Sequence, residues 1–92
     1  MGKVRLHFKI FGEVQGVGFR YHLRGAAKTL SLFGWAKNAS DGTVEGEVEG
    51  EEGAVNKFLE EAKRGPDLGK VKRVEEAREG WRGEFHGFEV RS

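Results

Sequence analysis

Val4-Arg5-Leu6-His7-Phe8-Lys9-Ile10-Phe11-Gly12-Glu13-Val14-Gln15-Gly16-Val17-Gly18-Phe19-Arg20 is the stretch on which the reading of the fold turns. Its first half alternates, with Val4, Leu6, Phe8 and Ile10 on one side and Arg5, His7 and Lys9 on the other. A period of two predicts a half-buried strand. The period then changes. Phe19, Leu23, Ala26, Ala27 and Leu30 recur at helical spacing and predict a first helix near residues 20–32. A strand that feeds a helix is the first half of a crossover unit, so the next strand should lie parallel to it in the same sheet. The joint between them also has a chemical meaning. Gly16 and Gly18 free the backbone and Arg20 closes the turn. Backbone N–H groups, a helix N-terminus and a guanidinium that grips two oxygens make a cup for a tetrahedral dianion. The glycine spacing fits neither a Walker loop nor a dinucleotide fingerprint.

Working outward, Gly34-Trp35-Ala36-Lys37-Asn38 reads as a second strand and Ala39-Ser40-Asp41-Gly42 as a turn. From Thr43 to Gly50, Val44, Gly46 and Val48 share one face, and Glu45, Glu47 and Glu49 share the other, which is expected to face water. Val55, Phe58, Leu59 and Ala62 set a second helix, opened by Glu51 and Glu52, with Lys63 and Arg64 in its last turn and Gly65-Pro66 as its stop. A fourth strand is expected near 70–78, although Val71 and Val74 break the alternation, and a short last strand near 85–91. Gly25 lies inside the first helix, where glycine costs about 1 kcal/mol against alanine. Close packing of that helix on the sheet is the reason considered for it. The order is β-α-β-β-α-β with a short extra C-terminal strand. That is an α+β, ferredoxin-like split βαβ sandwich, with two helices on one face of an antiparallel sheet, forming a single domain over residues 1–92.

Composition narrows the function classes. Sixteen basic residues against fifteen acidic ones give a net charge of +1, which is not the global field of a nucleic-acid binder. With no cysteine, disulfides and thiolate zinc sites are excluded, which favours a reducing, cytoplasmic setting. No apolar run approaches the roughly 20 residues that span a bilayer, and Met1-Gly2-Lys3-Val4-Arg5 lacks the apolar stretch of a signal peptide. One Met, one Gln and two Asn are few thermolabile residues, a profile compatible with a heat-tolerant source.

The candidate residues then come together through topology. Parallel first and second strands end on the same edge of the sheet, so Asn38 arrives at the rim where Arg20 and the glycine loop sit. Arg20 is read as a bidentate phosphoryl ligand at a helix N-terminus. Asn38 admits two readings: a residue that caps the hairpin turn, or an amide that orients a water while donating to a phosphoryl oxygen. His22, two residues past Arg20, could be proposed as a base, but a helix-surface histidine is the simpler reading. The three histidines lack metal-ligand spacing. Glu45, Glu47 and Glu49 are read as a solvated face rather than a metal ladder, and Lys70, Lys72 and Arg73 as a solvated edge.

Ile10 to Arg20 closely resembles the first signature of the acylphosphatases, and Gly34-Trp35-Ala36-Lys37-Asn38 with Gly42-Thr43-Val44 and Gly50 resembles the second. The resemblance covers essentially the whole chain. It implies hydrolysis of acyl phosphates to a carboxylate and inorganic phosphate. The backbone amides of Gln15, Gly16, Val17, Gly18, Phe19 and Arg20 would bind the phosphoryl group together with the Arg20 side chain, and Asn38 would place the attacking water. No metal and no cofactor are implied. A small acyl phosphate is the expected partner, inorganic phosphate the product and competitive inhibitor, and the protein is expected to be a monomer with no nucleic-acid or membrane partner. Gly25, Ala36 and the glycine-broken segment around Trp81 and His86 depart from the family pattern. The chemistry is coherent, since a carboxylate leaving group, with a conjugate-acid pKa of about 4, departs without a general acid. Two other classes stand beside this one: a phosphoryl-binding or regulatory module without turnover, and an RNA-binding module of the same topology, for which the aromatic stacking pattern is missing.

Overall fold

The computed structural model describes residues 2–92. Its elements are β1 (Lys3–Glu13), α1 (Phe19–Thr29), β2 (Phe33–Asn38), β3 (Val44–Glu51), α2 (Glu52–Arg64), β4 (Lys70–Gly80) and β5 (Phe88–Arg91). The sheet order is β4-β1-β3-β2-β5. β3 is antiparallel to both β1 and β2, so those two run parallel, as the crossover through α1 requires. β4 and β1 are antiparallel, whereas β5 adds to β2 in parallel. The sheet is therefore mixed rather than antiparallel throughout. The last strand cannot pair with β4, because the chain crosses the whole width of the sheet before it is laid down.

Period-two burial fixes the core. Leu6, Phe8 and Ile10 of β1 and Val44 and Val48 of β3 are buried with Leu23 and Ala27 of α1 and Val55, Phe58 and Ala62 of α2. The rings of Phe8 and Phe58 meet at 5.4 Å. α1 ends at Thr29, earlier than the apolar spacing suggests. Leu30 caps it, and the Leu32 and Ser31 N–H groups donate back to the Ala27 and Lys28 carbonyls, with Ser31 left-handed at φ 57°. This is a Schellman closure, and it turns Leu32 into the core from outside the helix.

Two departures from the sequence pattern have simple causes. Phe11 pairs with Arg73 and Gly12 with Val71, so Lys72 is an extra residue on β4. This β-bulge puts both Val71 and Val74 against the core despite their odd spacing. The acidic face of β3 is not simply solvated. Glu49 is 2% exposed and Arg5, opposite it on β1, is 5% exposed. The connection from β4 to β5, residues 81–87, passes over this outer face and covers them. Gly25 also differs from expectation, since a Cβ built there meets nothing within 4 Å. Close packing on the sheet does not explain it.

Candidate active site

The rim of the sheet where β1 and β2 end is built by register. Ile10 and Asn38 both pair with Val44, so the ends of β1 and β2 flank the start of β3 in one row. Neighbouring strands lie about 4.8 Å apart. β5 ends beside β2, with Arg91 opposite Lys37, and β4 starts beside β1, with Lys70 opposite Glu13.

The glycine loop crosses this rim to reach α1. Its apolar residues hold it down: Val14 and Phe19 are buried, and Phe19 packs beside Gly65 and Gly69. Its remaining residues are free to present backbone. Gly16 and Gly18 have φ of 75° and 77°, a left-handed conformation that disfavours a side chain although a Cβ at either position would meet open space. Gly18 is the N-cap of α1, no side chain caps it, and the first turn carries no acidic residue. The first intrahelical bond to it comes from His22, N to O 3.0 Å. The N–H groups of residues 15–20 therefore find no acceptor among the described residues, at the positive end of a helix.

Arg20 lies at the mouth of this loop, half-buried. Its Nη1 donates to the Arg91 carbonyl at 2.7 Å. One bond holds the guanidinium by one corner and leaves most of its five donors for a ligand. Arg91 is itself held, stacked on Trp35 at 4.6 Å. The short parallel strand β5 thus supports Arg20.

Asn38 ends β2, and the turn that follows is fixed without it. Asp41 Oδ1 accepts from the Thr43 N–H at 3.1 Å and the Thr43 hydroxyl at 2.6 Å, and Lys9 Nζ lies 2.8 Å from Asp41 Oδ2. Lys9, then Thr43, hold the Asp41 carboxyl well below the usual carboxylate range. Ala39 N–H donates to the Thr43 carbonyl at 2.8 Å. The capping role that the sequence leaves open for Asn38 is carried by Asp41, and the Asn38 amide takes no part in the turn.

Gln15 is the residue that sequence reasoning undervalued. It enters there only through its backbone amide. Its side-chain Nε2 donates to the Ala39 carbonyl at 2.8 Å and the Thr43 carbonyl at 2.9 Å. Both acceptors are carbonyls, which fixes the orientation of the amide. Only the side-chain type hinted at this, since glutamine is the one uncharged residue of the loop with donors to spare.

The other candidates lie elsewhere. His22 faces α2, with Nε2 3.3 Å from the Glu61 carbonyl. Burial, then nearby Arg64, lowers its pKa. A groove between α1 and α2, lined by Tyr21, His22, Gly25, Lys57 and Glu61, lies away from the rim. Among the described residues, no group of three or more His, Cys, Asp or Glu side chains is arranged to hold a metal ion, and no helix is long and apolar enough to cross a membrane.

The acylphosphatase family model matches residues 6–90. The chain is 48% identical over 92 residues to an acylphosphatase of Moorella thermoacetica, covering 100% of this chain and 98% of that one. The crystal structure of acylphosphatase from Bacillus subtilis superposes with a TM-score of 0.93 at 35% identity, covering 97% of this chain and 99% of that chain. The structure of an acylphosphatase from Coxiella burnetii gives a TM-score of 0.91 at 33% identity, covering 98% of this chain and 94% of that chain. The rim, the glycine loop and the turn after Asn38 all fall inside the matched span, and the chain belongs to the acylphosphatase family.

Proposed function

We propose that the protein hydrolyses acyl phosphates by in-line attack of water on a phosphoryl group seated in the loop of residues 15–20. Backbone N–H groups of Gln15 to Arg20 and the Arg20 guanidinium bind the three non-bridging oxygens and stabilise the charge that spreads over them. Asn38 orients the water, its carbonyl oxygen accepting from the water while its NH₂ donates to a phosphoryl oxygen. The water loses a proton to the phosphoryl group, the P–O bond to the acyl oxygen breaks, and the carboxylate leaves unprotonated. Catalysis then needs positioning and charge stabilisation alone.

The observation that carries this reading is the division of labour at the β2–β3 turn. Asp41 caps it, so Asn38 stands at the rim with its amide uncommitted. A module that only bound phosphate would need the cup and Arg20 but no such residue. The test is phosphate release from benzoyl phosphate, with and without EDTA. Turnover is expected in both. Asn38→Ala should lose about 10²-fold in kcat while inorganic phosphate still inhibits competitively. Full activity in that variant would remove the assigned role of Asn38, and a well-folded wild type without turnover would remove the reading altogether.

A further inference from the structure

We infer that the Gln15 side chain is a positioning residue for the hydrolytic step, setting Asn38 at a fixed distance from the phosphoryl cup. This rests on the reading of the site given above. Three observations carry it. First, Gln15 belongs to the cup by its backbone and to the opposite wall by its side chain, bonding carbonyls 24 and 28 residues away. Second, those carbonyls are the two that define the turn: Ala39 follows Asn38 directly, and Thr43 O also accepts the Ala39 N–H. Both hydrogens of the Gln15 NH₂ are therefore spent on the folded shape of the turn. Third, the turn is braced from its other side by Lys9 on Asp41. Asn38 is held between a clamp on the cup and a clamp on β1, although its own amide is bonded to neither.

The consequence is specific. Gln15 makes its side-chain bonds to the protein, so phosphate affinity does not need them. The water that Asn38 places must be aligned with the breaking P–O bond, and misplacement of about 1 Å at such a site costs on the order of 10²-fold. Gln15→Leu keeps bulk and removes both donors. It should lower kcat on benzoyl phosphate by about tenfold, with the inhibition constant of inorganic phosphate held within about threefold. In an Asn38→Ala background the same change should alter kcat by less than about twofold, because Gln15 acts through Asn38. The NMR resonance of the Asn38 side-chain amide should move in Gln15→Leu. Asp41→Ala, which loosens the turn from the Lys9 side without touching the cup, should show the same fall in kcat with phosphate inhibition kept.

The inference is overturned if Gln15→Leu keeps wild-type kcat, if it weakens phosphate inhibition as much as it lowers kcat, if the loss is undiminished without Asn38, or if the Asn38 resonance stays in place. Wild-type kcat in Gln15→Leu beside a defective Asn38→Ala sinks this inference and leaves the hydrolytic reading standing. A wild type without turnover sinks both.

Discussion

At one end of the sheet the carboxylate of Glu49 lies among the N–H groups of Arg82, Gly83 and Glu84, at 2.7, 3.1 and 3.1 Å, with the Arg5 guanidinium 3.7 Å away. At the other end the N–H groups of residues 15–20 find no acceptor among the described residues, and Arg20 lies beside them. Both seats use a run of backbone donors, left-handed glycines (Gly83 at φ 66°; Gly16 and Gly18) and one arginine. They differ in what fills them. Glu49 fills the first from β3, and in doing so fastens the 81–87 strap across the outer face, where Arg5 also meets Glu47 at 2.8 Å, Glu84 at 2.7 Å and the ring of Phe85 at 4.8 Å. The second is flanked by the buried Val14 and Phe19 and tied to the β2–β3 turn by Gln15, and among the described residues nothing accepts from its donors, which leaves them for the phosphoryl group proposed above. The same local chemistry stabilises when its counter-charge is internal and is free to act on a ligand when it is not.

The largest expected effect comes from breaking the second seat. On the proposed mechanism, in which Arg20 stabilises charge that develops in the transition state, Arg20→Gln should cut turnover of benzoyl phosphate by about 10³-fold and abolish competitive inhibition by phosphate. Its midpoint of thermal unfolding should fall by only a few degrees, the equivalent of the single bond to the Arg91 carbonyl at about 1 kcal/mol. A large loss of stability with binding retained would erase the distinction between the two ends.

Breaking the first seat should do the reverse. Glu49→Ala leaves three N–H groups of the strap without their buried acceptor and takes one carboxylate from the buried Arg5, which keeps Glu47 and Glu84; the change costs about 3 kcal/mol, or roughly 15 °C in melting temperature for a chain of this size. At temperatures where the variant is folded, kcat should be unchanged. The pH dependence follows from the carboxyl pKa values. Burial works to raise that of Glu49, but the three N–H donors and Arg5 outweigh it, and Arg5 also lowers Glu47. The unfolded chain therefore takes up protons before the folded one as pH drops. This stabilisation is complete above about pH 4.3 and is lost as pH falls towards the lowered folded values. His22, whose pKa burial lowers, removes stability below about pH 6.5 in both proteins alike. The gap between wild-type and Glu49→Ala melting curves should thus stay constant down to about pH 4.3 and close only below it. A gap that closes near pH 6 would place the stabilising charge elsewhere.

The two ends were also unequally legible in the sequence. The placement of the candidate rim could be read because its signals are local: alternation from Val4 to Ile10, helical spacing from Phe19, glycines between them, and a crossover that makes the positions of Arg20 and Asn38 a matter of handedness. The Glu49 seat could not. Alternation places Arg5 and Glu49 on the face away from the helices, and only a strap more than thirty residues later buries them. The parallel pairing of β5 and the bulge at Lys72 were hidden for the same reason, as each is set by a distant partner. Gln15 is the intermediate case, with a local residue, a local role for its backbone, and a side-chain role that needs the turn 24 residues on.

Gly25 sharpens the comparison from a third position, in the helix whose N-terminus forms the cup. It is an interior helical residue lining the groove between α1 and α2, and a methyl group there would touch nothing. Gly25→Ala should therefore remove backbone freedom from the unfolded chain without strain in the folded one, raising stability by about 0.5–1 kcal/mol and the melting temperature by a few degrees. The informative measurement is kcat on the same variant. If the cup is set by Val14, Phe19 and the Gln15 clamp, stiffening α1 one and a half turns beyond Phe19 leaves kcat as it was. If kcat falls as the melting temperature rises, the glycine has been kept for motion of α1 during turnover, and the cup is a moving part rather than a seat fixed by its own anchors.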